Sequence, residues 1–503
     1  MSAFHTHVNV YIQAFNILRT ENDMSEQPKK LGRRTFLNYA IAVVATGVIV
    51  GAATYFAVPK GVTTVTAPGA TTTIERTVTT TVTGTPTTTP SSTTSAPPSA
   101  VTVNVIAQDT PVWDIEEKYL DEFYNETGVR AKITYYAEDD RRAKELLDGS
   151  THAGAYQVYY IDEANVATFA KNGWILPISD YFPSDHDFND FRDGYRKTLS
   201  YNNTYYGAPM YGESDMTFYR TDLFEEKKID LPVTLDDFLN AAKQLANPPS
   251  LYGCGTRGSR GSGANVWRWS PYLVRFGGTY LDSSGAPVFN SQEAIDATAY
   301  YIELIKLSPS PTMLWSDVLN QFEAGKEALQ EDADGFYDFY ADKSKSVVYD
   351  KFSVCLPCKN KETNINVSAI CTHGLAISTY GCPTPELREA AGRFIAWFTS
   401  KQNEIRRVDG GYGISTARKS TLASKEMAGK YTPAYIKTAQ DCIPIQKLCI
   451  PQIPEWPQIG DYLGINLEKL FTAAFAGQTV SKENIKAALD DAVAYAKQTL
   501  AKK

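Results

Sequence analysis

Cys355-Leu-Pro-Cys358 has the spacing of a dithiol or metal motif. It follows a strand-like run rather than opening a helix, which fits a structural disulfide or idle thiols better than redox catalysis. A zinc site is poorly supported, because only His373 lies near and no second Cys-x-x-Cys follows. The sequence also lacks a Gly-x-Ser-x-Gly elbow and a His-Glu-x-x-His helix, and it has only 5 histidines. Carboxylates abound, so a glycosidase pair stays open as an alternative. Yet Asp139-Asp140 and Asp162-Glu163 are adjacent in sequence, the pattern of solvated turn residues. What remains is recognition. A polyhydroxylated ligand needs aromatic plates for its C–H faces and carboxylates, amides or guanidinium groups for its hydroxyls. The plate candidates are Trp113, Tyr211, Trp267, Trp269, Phe336, Tyr337, Tyr412, Trp456 and Tyr462. The polar candidates are Asp109, Asp162, Glu163, Glu213, Asn265 and Arg257. Each aromatic has ordinary core packing as its alternative, and Trp174 and Trp397, set in apolar patterns, are assigned to core.

Composition supports the same direction. A chain of 503 residues predicts two to four domains, and 43% hydrophobic with 21% charged residues is ordinary for a globular protein. A net charge of −8 is the wrong sign for a nucleic-acid partner. The 31 tyrosines suit polar, extended ligands, each offering a ring face and a hydroxyl. All 7 cysteines lie after residue 253, and outside the cell such thiols usually pair. Cys442 and Cys449 are close enough in sequence to close a small loop, but connectivity is not readable.

The N-terminal fifth predicts an anchor. Residues 1–35 read as a cytoplasmic tail and targeting signal, with Met24 as an alternative start. Arg33-Arg34-Thr35-Phe36-Leu37 is similar to a twin-arginine export signal. Residues 36–58 carry no charge. At about 1.5 Å per residue they reach roughly 35 Å, enough for a bilayer core of about 30 Å. Tyr55 and Phe56 stand where a cleavage site wants small residues, which favours an uncleaved helix over a cleaved signal peptide. The basic flank places its N-terminus inside. Residues 59–100 are rich in Thr, Ser and Pro and have no apolar face to bury, the composition of a disordered, O-glycosylated stalk. The sequons at Asn125, Asn202 and Asn366 fit an outward-facing body.

From Val101 onward, strands alternate with helices. Val101–Ala107, Ala131–Tyr136 and Tyr156–Ile161 read as strands, and Ile115–Tyr124 and Arg141–Leu147 as helices. Such alternation predicts an α/β fold with a mostly parallel sheet, whose ligands sit beyond the carboxyl ends of the strands. Met210–Phe218 reads as a strand and Tyr219–Phe224 as a short helix. Thr234 caps an amphipathic helix with apolar residues at Leu235, Phe238, Leu239, Ala242 and Leu245, and Asp237 completes a capping box. The glycine-rich Gly253–Gly263 lacks the lysine and the strand-to-helix frame of a phosphate loop. Ser291–Lys306, Glu386–Thr399, Ile465–Ala476 and Lys482–Leu500 are further helices, and Lys351–Pro357 is a strand.

Several of these segments, in this order, resemble the extracellular solute-binding proteins of ABC importers, family 1, which includes the maltose- and oligosaccharide-binding proteins. They are Tyr206-Gly207-Ala208-Pro209, Tyr219-Arg220-Thr221-Asp222-Leu223-Phe224, and Pro232-Val233-Thr234-Leu235-Asp236-Asp237-Phe238. Arg220 and Leu235 replace the usual Asn and Trp. The resemblance continues through Gly173–Ile178, Phe276-Gly277-Gly278, Phe322-Glu323-Ala324-Gly325-Lys326, Gly374–Ile377 and Gly410–Arg418, where Ile414-Ser415 stands in place of a frequent Pro. It covers about 101–503.

The resemblance implies a two-lobed, type II periplasmic-binding-protein-like fold with a hinge. Lobe 1 would be 101–212 plus 365–412, and lobe 2 would be 213–364 plus 413–503. The chain would cross between them near 210–215, 362–372 and 412–418, and the lobes would close over a sugar or oligosaccharide. The implied ligand-binding set is Asp109, Trp113, Asp162, Glu163, Tyr211, Glu213, Asn265, Trp267, Phe336, Tyr337, Tyr412, Trp456 and Tyr462. Glu213 leads it, because that place on the family's crossing strand often carries a ligand carboxylate. No cofactor, metal or catalytic residue is expected. With no ATP-binding motif in the chain, its partners would be permease subunits and their ATPase. The expected state is a monomer anchored by its N-terminal helix, with the body on the extracellular face of the cell membrane. A membrane-tethered surface enzyme acting on glycans, a receptor passing ligand occupancy to a sensor, and a binding protein for a peptide, polyamine or glycerol phosphate are the alternatives.

Overall fold

The structure, a computed structural model, describes residues 101–503 apart from 185, 414 and 503. The predicted targeting signal, membrane helix and stalk lie outside these residues. Among the described residues no helix is long and apolar enough to cross a membrane.

The described residues form eleven strands: β1 (Thr102–Gln108), β2 (Arg130–Tyr136), β3 (Val158–Asp162), β4 (Ser200–Tyr201), β5 (Thr204–Tyr205), β6 (Ala208–Arg220), β7 (Tyr252–Gly255), β8 (Glu327–Ala333), β9 (Phe352–Cys355), β10 (Ser368–Ile377) and β11 (Gln446–Lys447). β4 and β5 form a separate hairpin. The other nine form one sheet path in the order β2-β1-β3-β10-β6-β8-β7, with β9 on β6 and β11 on β10. β1 pairs parallel with β2 and β3, as the alternation predicts. The expected mostly parallel sheet gives way at the centre, where β10 pairs antiparallel with β3 and with β6, and β6 antiparallel with β8 and β9. The cause is topological: β6 runs out of the first half of the path and β10 returns to it, so the two must oppose each other.

β6 therefore serves two halves. Its first part pairs with β10 as far as Ser214, and its second part, from Asp215, pairs with β8. The first half is sandwiched. Val103, Val105, Val158 and Tyr160 face one apolar cluster with Phe394 and Phe398. The alternate residues Ile106, Tyr159 and Ile161 face another with Phe169 and Ile175. This period-two split buries both faces of β3 along its whole length, while β1 begins in alternation, with Thr102 exposed and Val103 buried. The second half rests on a larger cluster from the helices Leu235–Leu245, Ala264–Arg275, Gln292–Lys306, Trp456–Phe475 and Lys482–Leu500.

The local signals act as the sequence predicts at the helix Leu235–Leu245. The Thr234 side chain accepts from Asp237 N–H, and the Asp237 carboxylate accepts from Thr234 N–H at 2.9 Å. The 20-residue helix Trp456–Phe475 starts nine residues earlier than its apolar pattern indicates, with Pro457 in its first turn, where proline is tolerated. Expected disulfides are absent: all seven cysteines are free thiols. Cys254, Cys358, Cys382 and Cys442 are fully buried, behaving as small apolar residues of the core.

Gly212 marks where the crossing strand is held. A methyl there would come within 2.5 Å of the Tyr195 ring, whose hydroxyl lies 2.9 Å from Ser214 Oγ on the same strand. We expect Gly212→Ala to lose about 1–3 kcal/mol, read as a lower urea midpoint at unchanged denaturant slope. A midpoint equal to that of the parent would contradict this packing.

Candidate functional site

The register of β6 against β10 builds the floor of the site. Cys371 opposes Glu213 and His373 opposes Tyr211. Residues two apart on a strand share a face, so these four side chains project together. They line a cavity of about 940 Å³, between the carboxyl ends of β1, β2 and β3 and the loops that follow β7 and β8. Asp109, Glu138, Arg142 and Glu163 form one wall. Arg257, Trp267, Trp315 and Phe336 form the other, and Tyr412 and Ser415 come from the loop after the helix Lys401–Gly410. Gly335 keeps the opening free: a side chain there would meet Glu213 Oε1 at 2.8 Å.

Buried charge fixes both walls. Asp162 ends β3 and is 1% exposed. Arg141 Nη2 donates to it at 2.9 Å, Arg142 Nε donates at 2.6 Å, and His373 Nδ1 lies 3.3 Å away. Burial opposes the charge on Asp162, but Arg141, Arg142 and His373 outweigh it and hold the carboxyl well below its usual range. Burial likewise works against a charged His373, but its neighbours Cys371, Tyr160 and Tyr211 and the bond to Asp162 hold the imidazole well above its usual range. Arg142 also pairs with Glu138 at 2.9 Å, which presents Glu138 to the cavity.

In the opposite wall Arg257 is bound through Nε to Asp332 at 2.9 Å. Its guanidinium lies 4.9 Å from the Trp267 ring centre and 5.7 Å from that of Phe336. Asp332 takes both Nε and Nη2, which fixes the guanidinium plane beside the two aromatic faces. Behind it Arg268 pairs with Asp215, and Arg275 with Glu331 at 2.7 Å. Asp334 accepts from Ser214 N–H and Ser415 Oγ; burial and the nearby Glu213 raise its carboxyl to about 8.

Of the residues read from the sequence, Asp109, Glu163, Tyr211, Glu213, Trp267, Phe336, Tyr412 and Trp456 line the cavity, as does Arg257. Trp456 does so while only 4% exposed, its ring packed edge-on against Tyr280. The others are corrected. Trp113 turns away into the core, 4.4 Å from the Phe398 ring, while its neighbour Val112 meets the cavity. Asp162 is buried beneath the floor and acts through His373 and Arg142. Asn265 is fully buried, donating to Gly258 O and Gly464 O, and so ties the loop after β7 to a helix. Tyr337 packs with Tyr431 and Tyr435. Tyr462 stacks on Tyr495 at 4.1 Å and bonds to Asp491, outside the cavity lining. Trp269 is core, its Nε1 donating to Thr298. Asp162 and Glu163 are also not solvated turn residues; both are buried.

Sequence reasoning missed Arg142, Trp315, Cys371 and His373 as cavity residues. The first two carry no local signal. The last pair did, as Cys-x-His on a strand read as a crossing. The arrangement supplies oriented donors, acceptors and ring faces, the equipment for holding a polyhydroxylated molecule.

Two contacts span the cavity. Trp315 Nε1 donates to Glu138 Oε2 at 3.2 Å. At the far side Thr168 Oγ1 donates to Pro454 O at 2.7 Å, beside a Lys171–Glu455 ion pair at 3.1 Å.

Comparison with known proteins gives one family. The profile of the bacterial extracellular solute-binding proteins matches residues 114–405. A mannitol-binding protein of Pseudomonas aeruginosa is 28% identical over 380 residues, covering 72% of this chain and 85% of that one. A solute-binding protein of Agrobacterium radiobacter K84, solved with ribitol, superposes with a TM-score of 0.71 at 25% identity, over 80% of this chain and 100% of that one. One from Agrobacterium vitis S4, solved with D-mannitol, gives 0.69 at 25% identity over 79% and 99%.

Glu116, behind the wall, generates a test of the buried electrostatics. Burial raises its carboxyl from 4.5 to about 8 against the pull of Arg407, and neither of its oxygens has a hydrogen-bond partner. The folded chain thus binds a proton that the unfolded chain has released. This group should lower stability as pH rises from 4.5 to about 8, by up to about 1.4 kcal/mol per pH unit. Glu116→Gln should remove that slope, so its melting temperature gains on the parent across the window. Parallel profiles would show that Glu116 is ionised in the folded chain.

Proposed function

The chain belongs to the bacterial extracellular solute-binding proteins, and on that premise we propose that it captures a sugar or sugar alcohol for an ABC importer. The observation that carries the reading is the guanidinium of Arg257 between Trp267 and Phe336, facing the Tyr211–Glu213 floor. Ring faces cover the C–H surface of a polyol or pyranose, and fixed donors and acceptors take its hydroxyls. The mannitol and ribitol of the relatives favour an acyclic or monosaccharide-sized ligand, and the cavity volume leaves room for an oligosaccharide.

The body works as two lobes, 101–212 with 365–412 and 213–364 with 413–503, which close on the solute. Contacts such as Trp315–Glu138 and Thr168–Pro454 are made across the cavity and stabilise the closed form. The closed form docks on permease subunits whose ATPase supplies the energy. The body acts as a monomer on the extracellular face of the cell membrane, anchored through the uncharged segment 36–58 that precedes the Thr/Ser/Pro-rich segment 59–100. Binding rather than turnover is the activity, as in the relatives.

Calorimetry and thermal shift with mannitol, ribitol, glucose and maltose, alongside spermidine, glycerol 3-phosphate and a peptide mixture, test this. A cognate polyol at 100 times its Kd should add about 2.7 kcal/mol of stability. Trp267→Ala and Glu213→Gln should each weaken it at least 10-fold, about 1.4 kcal/mol. Chemical turnover of the bound sugar, or binding confined to spermidine or the phosphate, would defeat the proposal.

A further inference from the structure

The floor of the cavity carries more chemistry than a polyol needs. Glu213, Cys371 and His373 bring a carboxylate oxygen, a sulfur and an imidazole nitrogen within 4.8 Å of one another. We propose that these three side chains form a binding site for a thiophilic divalent cation of the zinc class, with its fourth coordination position open to the cavity.

Four observations carry this. The donor set comes first: thiolate, imidazole and carboxylate together suit zinc or cobalt, and not calcium or magnesium, which take oxygen alone. The spacing comes second. Cys371 Sγ lies 3.3 Å from His373 Nε2, and His373 Nε2 lies 3.9 Å from Glu213 Oε2. Bonds of about 2.0–2.3 Å at tetrahedral angles separate neighbouring donors by about 3.3–3.7 Å. The third separation, Cys371 Sγ to Glu213, is within 4.8 Å, so a side-chain adjustment of up to about 1 Å closes the set. The third is the support behind the imidazole. His373 Nδ1 lies 3.3 Å from Asp162 Oδ1, a carboxylate that Arg141 and Arg142 lock in place. With Nδ1–H shared with that carboxylate, loss of the Nε2 proton on metal binding leaves a lone pair aimed at the cavity, the outer-shell arrangement of histidine metal ligands. The fourth is the backbone. Cys371 and His373 are two apart on β10, and Glu213 is the register partner of Cys371 on β6. All three donors are thus set by one strand pairing and need no loop to fold around the ion.

Charge fits as well. A thiolate and a carboxylate neutralise a divalent ion, and on binding Cys371 Sγ and His373 Nε2 each give one proton to solvent. Glu163 Oε2 stands 3.5 Å from the sulfur and accepts from Thr372 N–H, adding a further acidic group to the outer shell. The site stands on this geometry and does not depend on the polyol reading.

The test uses the full chain, kept reduced, freed of metal with EDTA and titrated with Co²⁺ under absorbance. One equivalent should produce a thiolate-to-metal charge-transfer band and the strong visible bands of four-coordinate cobalt, and Zn²⁺ should abolish both. Cys371→Ser should remove the charge-transfer band. Glu213→Gln, a near-isosteric change at a side chain 21% exposed, should weaken Co²⁺ at least 10-fold. The double variant Cys355→Ser, Cys358→Ser should leave the spectrum intact. Absence of a band in the parent, a band that survives Cys371→Ser, full affinity in Glu213→Gln, or a band lost with Cys355 and Cys358 would each overturn the site. Mannitol calorimetry in EDTA, run in parallel, reports on the solute reading separately.

Discussion

The constraint on which the rest of the structure depends is the burial of charge along the central strands. Each half of the sheet path holds arginines and carboxylates away from water. One set joins Arg141 and Arg142 to Asp162 and Glu145; the other joins Arg257, Arg268 and Arg275 to Asp215, Glu331 and Asp332. Such pairs add little net stability, because desolvation offsets their attraction, yet breaking one leaves an uncompensated charge at a cost of about 3–5 kcal/mol. Their effect is to allow one arrangement and penalise its neighbours. A slip of β6 by one residue would turn Asp215 away from Arg268 and Glu213 away from the cavity together.

Position in the register links that constraint to the site. Ser214 is the last β6 residue paired with β10 in the first half, and Asp215 is the first paired with β8 in the second. The strand therefore changes partners within one peptide unit, and Glu213 stands just before the change. Its carboxylate is held at the junction of the two halves, where relative movement of the walls displaces the floor least. The aromatic wall is set differently. Arg257 is anchored by Asp332 on β8, so Trp267 and Phe336 are organised around a guanidinium fixed to the sheet rather than around each other.

Much of this frame was legible in the sequence, and the failures share a cause. Thr234 and Asp237 read correctly because a capping box is complete within four residues. The strand from Met210 read correctly because glycine and proline mark its entry. Asp162 and Glu163 were misread as solvated, since adjacent carboxylates usually are. Asp162 is buried against a pair of arginines about 20 residues earlier, on a helix whose facing is invisible without the sheet order, and Glu163 is buried against β10, where it accepts from Thr372 N–H. Trp113 failed for a narrower reason: Val112 and Trp113 lie on different faces of a single turn, and the sequence does not say which face meets the ligand. The cysteines failed because an expectation drawn from compartment ignores geometry, and most of these thiols occupy separate parts of the core.

The balance of charge in the cavity bears on the proposed ligand. Carboxylates outnumber guanidinium groups along the lining, which at first favours a cation such as a polyamine. Several of these acids are already engaged by the protein. Glu138 pairs with Arg142, Asp461 with Arg260, and Glu404 accepts from Thr416 Oγ1 and Ala417 N–H. A carboxylate whose charge is matched still offers lone pairs to a hydroxyl, because hydrogen bonding to a neutral donor needs no net charge. Arg257 is likewise neutralised by Asp332, so a phosphate would have to compete with that carboxylate for its donors. Where the wall charges are matched in place and the plates are aromatic, the cavity discriminates by the positions of hydroxyl groups more than by the charge of the solute, which is the selectivity the proposed polyol ligand requires.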